Sequence, residues 1–191
     1  MRRKRPWFQR LLSPVIGRGR ALAHDQAGAT AIEFGILALP FFTIIFAIVE
    51  TSMVFFAGQI LDSAVNDASR RLRTREAQSA GETAADFRAS ICENLFGLFD
   101  CADTDKLRIK VSEVSAFSGA RPTGPMACNA DKTECTWTLV ESYNAGQAAS
   151  VLLVEAYYKW PTIVNLPGFD LANLPDGTRL LSAVRVFRNE P

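Results

Sequence analysis

Gly28-Ala29-Thr30-Ala31-Ile32-Glu33-Phe34 opens a mostly apolar run that continues from Phe34 to Ala57. As a helix rising about 1.5 Å per residue, that run exceeds the roughly 30 Å of a bilayer's hydrocarbon core. Ahead of it stands a leader carrying Arg2, Arg3, Lys4, Arg5, Arg10, Arg18 and Arg20, with no acid before Asp25. The next cluster of positive charge, Arg70, Arg71, Arg73 and Arg75, begins 14 residues past Phe56. The positive-inside rule therefore places the amino terminus in the cytoplasm and exports the chain beyond the run. An ordinary secretory signal also combines a basic start with an apolar core, but it ends at a small-x-small site. Here Phe55-Phe56-Ala57 stands at that place.

Beyond the run the helical pattern persists. Ile60, Leu61, Ala64, Val65, Ala68 and Leu72 recur at steps of three and four, with Gln59, Asp62, Asn66, Asp67 and Arg70 on the other side. This predicts an amphipathic stalk to about Arg75, interrupted at Gly81-Glu82-Thr83. Asp86 to Phe99, with Phe87, Ile91, Leu95, Phe96 and Phe99, predicts a short second helix. The period then becomes two. Leu107 to Val114, Cys135 to Glu141, Ser150 to Trp160 and Leu180 to Arg188 read as strands separated by turn-rich loops. The expected fold class is α+β: a long amino-terminal transmembrane helix continuing as a stalk, then a small domain whose antiparallel sheet of about four strands packs on a short helix. The corresponding divisions are a basic leader over 1–28, a membrane helix over 29–58, a stalk over 59–80 and an exported domain over 81–191.

The chain's formal net charge is +1. Without residues 1–28, which hold seven of the 21 basic and one of the 20 acidic residues, 14 basic residues face 19 acidic ones, a net charge of −5. That sign argues against generic nucleic-acid binding. His24 is the single histidine and lies in the leader, so the remainder has no histidine for a triad, a general base or a metal site. Gly119 and Gly124 have a Walker-like spacing but lead into Pro125-Met126, which forms no phosphate loop. No cofactor, metal or catalytic residue is expected. Four cysteines, Cys92, Cys101, Cys128 and Cys135, lie on the exported side, without a Cys-x-x-Cys. They allow three pairings, of which Cys92–Cys101 with Cys128–Cys135 is the simplest. That pairing requires the second helix to end near Gly97, because nine helical residues span about 13 Å.

A glycine, a carboxylate five residues on and an aromatic at the mouth of an apolar run resemble the processing site of type IV prepilins. Glu33-Phe34, Leu39-Pro40, Val49-Glu50 and Leu61-Asp62-Ser63-Ala64-Val65-Asn66-Asp67-Ala68-Ser69-Arg70, in that order, resemble the TadE-like (TadE/TadF) pseudopilins of tight-adherence, Flp-type pilus systems. The resemblance covers about a quarter of the chain and implies cleavage after Gly28 by a prepilin peptidase, leaving Ala29 as the new amino terminus. It further implies that Glu33 pairs with the cleaved amine of a neighbouring subunit. Two opposite charges entering lipid together avoid two separate desolvation costs. Implied partners are the peptidase, other pseudopilins, the major Flp-type pilin, the inner-membrane assembly platform and the bilayer.

Two further residues are read from their placement. Glu50 lies 17 residues past Glu33, about 25 Å along a helix and about 100° away around it. It is expected near the far interface, as an inter-subunit polar contact or as a snorkelling acid. Pro40 removes a backbone hydrogen bond from the spanning helix and should kink it. Trp137, Tyr143, Tyr157, Tyr158 and Trp160 suit either partner contacts or a core. The alternative function is a single-pass, membrane-anchored binding or interaction module.

Overall fold

The computed structural model describes residues 26–122, 124–166 and 169–191. The basic leader up to Asp25, Thr123, Pro167 and Gly168 lie outside the described residues. Helix α1 runs Gln26–Arg73, continuous through Pro40. Chain contacts define two units, Met1–Phe46 and Ala47–Pro191. The described part of the first is α1 alone, apolar around its whole circumference: Ile32, Phe34, Ile36, Leu37, Leu39, Phe41, Ile44 and Phe46 are all exposed. An 18-residue window of this helix has a mean hydropathy of 2.4, and none of it is buried against protein.

The second unit starts with the rest of α1. Val54, Ala57, Leu61, Ala64, Val65, Ala68 and Leu72 repeat at the helical period and are all buried. The amphipathic stretch expected here exists, but its apolar stripe is core. Short α2 (Glu76–Ala80) follows, entered through Arg75 and left through Gly81, both in left-handed backbone. Helix α3 (Ala84–Glu93) begins with a capping box: the Asp86 amide donates to the Thr83 hydroxyl, and the Thr83 amide donates to the Asp86 carboxylate. It ends earlier than the apolar spacing to Phe99 predicts. Phe96 and Gly97 adopt φ 53° and 69°, which no right-handed helix accommodates. The resulting reversal returns Leu95 and Phe99 to the core and closes the Cys92–Cys101 disulfide.

Strands β1 (Leu107–Val114), β4 (Ser142–Tyr143), β5 (Val151–Pro161) and β8 (Thr178–Arg188) form one sheet in the order β4-β1-β5-β8. β1 and β5 are antiparallel with Leu107 opposite Tyr158; β5 and β8 are antiparallel with Val151 opposite Arg188. β4 runs parallel to β1, so the sheet is mixed where an antiparallel one was expected. The Cys135–Glu141 run is not a sheet strand either. Its first part, β3 (Cys135–Trp137), pairs with β2 (Met126–Cys128) in a separate hairpin closed by the Cys128–Cys135 disulfide. That excursion returns the chain to the start of β1, which lets β4 enter alongside it in the same direction. A second small hairpin joins β6 (Asn165–Leu166) to β7 (Phe169–Asp170).

One sheet face carries Leu107, Ile109, Val111, Leu152, Val154, Ala156, Tyr158, Leu181 and Ala183 and packs on the α1 stripe with Phe87 and Ile91 of α3. Each buried Val, Leu, Ile or Phe among them contributes about 1.5–3 kcal/mol by leaving water. β5 is buried at every position from Val151 to Tyr158, so its second face is covered too. There the Trp137 ring lies 5.3 Å from the Lys159 ammonium and 5.9 Å from the Arg108 guanidinium, which brings the β2–β3 hairpin over the sheet. Gly146, at φ 66°, makes the sharp turn before β5, where a side chain would meet Leu152 at 2.9 Å.

Candidate functional site

Gly28, Ala29, Glu33 and Phe34 all lie in the first turns of α1, exposed. Among the described residues, nothing outside the helix's own backbone stands within 4 Å of where a Gly28 side chain would be. The peptide bond after Gly28 is nonetheless helical. A protease that reads extended backbone must first unwind this end, and a glycine in the opening turn lowers that cost by about 1 kcal/mol relative to alanine. Glu33 lies on the second turn, and no cation among the described residues is paired with it. Phe34 beside it is 71% exposed. Carboxylate and aromatic therefore face outward together at the head of an uncovered apolar helix. The arrangement presents one carboxylate at the head of an exposed apolar surface.

Glu50 is placed quite differently. It is buried in the second unit, and both of its carboxylate oxygens accept backbone amides of this same chain. One oxygen accepts the Ile163 amide, and the other accepts the Val164 amide at 2.7 Å. Sequence reading missed this partner because the two amides lie more than a hundred residues away and carry no side-chain signature.

The aromatics considered for partner contacts are engaged inside the domain. Tyr158, Phe99 and Trp160 form a ring cluster with centroids 4.7 to 6.3 Å apart, and the Tyr158 hydroxyl accepts the Asp100 amide. The Trp137 indole donates to the Asp105 carbonyl at 2.7 Å. Tyr157 donates to Glu155 Oε1 at 3.1 Å; burial first, then the Glu155 carboxylate, pushes its hydroxyl well above the ordinary tyrosine range.

A groove of about 540 Å³ lies beside the β1 edge, lined by Phe87, Arg88, Ile109, Val111, Glu141 and Tyr143 among others. Its charged groups serve the backbone. Arg88 donates to the Leu107 carbonyl, Glu141 accepts the Ile109 amide at 2.9 Å, and the two side chains pair at 3.3 Å. They stand where a neighbouring strand's backbone would be and satisfy this part of the edge. Among the described residues no group of three or more His, Cys, Asp or Glu side chains could hold a metal.

The family model for TadE-like protein matches residues 28–70. The segment is similar to that family. The match begins at Gly28 and ends near the close of α1, so it spans the exposed apolar stretch and most of the buried stripe. Its apolar helix is the one candidate single-pass anchor among the described residues. No curated protein and no solved structure matches the chain.

Proposed function

We propose that this chain is a processed pseudopilin, a minor pilin-like subunit that supports assembly of a tight-adherence type IV pilus and has no catalytic role. The observation that carries the reading is the TadE-like helix itself. Up to Phe46 it is apolar on all sides and uncovered by protein, and it is headed by Gly28-Ala29 with a Glu33 that no described cation pairs. A prepilin peptidase removes residues 1–28. The new Ala29 amine of one subunit then meets the Glu33 carboxylate of another, and the paired charges pack laterally within the inner membrane. The leader is cytoplasmic, and the α+β domain faces the periplasm, where it meets other pseudopilins, the major Flp-type pilin and the assembly platform. The absence of excess positive charge after processing leaves nucleic acid out of this set of partners.

Two measurements test this. Mass and amino-terminal sequence of the protein extracted from membranes of cells with an active prepilin peptidase should begin at Ala29; a chain that still carries its leader there contradicts the reading. Glu33→Gln should leave membrane anchoring intact while reducing co-purification with the other pilus subunits several-fold. Undiminished co-assembly of that variant would remove the proposed pairing.

A further inference from the structure

The twenty-two residues from Gly28 to Val49 contain one charge, Glu33, close to their start. As helix they reach about 33 Å, about the thickness of a hydrocarbon core. Glu50 is the next residue, so it marks the level at which α1 leaves the apolar layer. The turn after β5 is bonded to this carboxylate through two successive amides, those of Ile163 and Val164. Its other end is held as well, because the Thr162 hydroxyl donates to the Gly177 carbonyl at 2.7 Å. Both the acid and the backbone thus satisfy their polar groups without water, as a layer of low polarity demands.

The side chain at the tip does the opposite of what a buried turn would require. Ile163 is 91% exposed, the most exposed large apolar residue among those described. One to two turns further along α1, Met53, Phe55 and Phe56 are also exposed. A turn fixed this tightly, carrying an uncovered isoleucine at the end of a membrane-length helix, matches what an interfacial lipid contact needs.

We propose that the Pro161–Val164 turn seats the α+β domain on the bilayer. Glu50 pins the turn's backbone where α1 exits, and Ile163 inserts into the lipid interface on the domain's side. The inference rests on the reading of α1 as a membrane anchor. The surface it adds is a lipid contact made by the folded domain itself, 113 residues further along the chain than Glu50.

The test uses the full chain, its four native cysteines paired, with one thiol introduced by Ile163→Cys and labelled with an environment-sensitive fluorophore. A second protein carries Val140→Cys, at a position 78% exposed on the loop after β3. Both are reconstituted into phosphatidylethanolamine–phosphatidylglycerol vesicles and recovered by flotation. The probe at 163 should emit at shorter wavelength, be quenched by lipid-borne nitroxide, and resist aqueous iodide at least about three-fold better than the probe at 140, as a side chain some 5–10 Å into the interface would. A chain that floats with both probes equally open to iodide overturns the seating and leaves the anchor standing. A chain that does not float overturns the anchor, and the seating with it.

Discussion

Two carboxylates show how much a residue's meaning depends on what surrounds it. Glu33 stands on a helix face open on all sides, whereas Glu155 is fully buried at the centre of β5. Tyr157 is the hydrogen-bond donor to Glu155 Oε1, Lys110 stands opposite Glu155 across β1, and its second oxygen finds no partner among the described residues. Tyr157→Phe keeps the ring and removes the donor, so it should destabilise the domain by about 1–3 kcal/mol, the cost of an orphaned buried polar group. Urea denaturation at neutral pH measures this. The pH dependence has a definite sign. Because the folded state raises the tyrosine's pKa, its contribution is complete below pH 10 and is lost as the pH climbs through the elevated value. Wild type should therefore weaken above pH 10, and Tyr157→Phe should show a flatter alkaline slope.

At the scale of elements, both ends of α3 are set by local chemistry that the apolar spacing from Asp86 to Phe99 does not carry. Thr83 and Asp86 are three residues apart, which suits a reciprocal cap. Thr83→Ala should cost about 1 kcal/mol in thermal denaturation. The hydroxyl and amide of Thr83 hold the Asp86 carboxyl below its ordinary value of 3.8. This contribution is present above that value and disappears as pH falls through the depressed one, so the Thr83→Ala penalty should shrink in acid to the part owed to the bond from the Asp86 amide to the Thr83 hydroxyl. The far end of α3 is decided by Phe96 and Gly97, whose left-handed conformations no apolar spacing announces. The disulfide there closes a short loop and should stabilise by about 2–3 kcal/mol through the unfolded state. Maleimide labelling should detect four thiols per chain only after reduction and unfolding.

For the molecule as a whole, the decisive fact is that α1 belongs to two units. Its exposed portion contributes nothing to the folded core, while Leu61, Ala64, Val65, Ala68 and Leu72 form one wall of it. A fragment that begins at 81 exposes the sheet face this stripe covers and should not fold cooperatively. One that begins at Ala47 should give a cooperative melt, with dispersed amide resonances in detergent. Leu61→Ala should lower the stability of the longer fragment by about 2–5 kcal/mol, through a cavity at a site with no solvent contact. The Arg185–Asp62 pair and the bond from the Glu190 amide to the Arg73 carbonyl tie β8 to the same helix, so strand and helix are expected to melt together.

The apolar run, the helical period beyond it, three of the four sheet strands and the candidate cleavage motif were all legible along the chain. Each depends on residues within a few turns or one strand of each other, where periodicity and spacing are physical constraints in their own right. The partner of Glu50, the parallel entry of β4 and the burial of the α1 stripe under its own sheet were decided only in three dimensions. Backbone amides look alike in every sequence, and whether an apolar face meets lipid, another chain or its own domain is settled by what the folded chain brings against it.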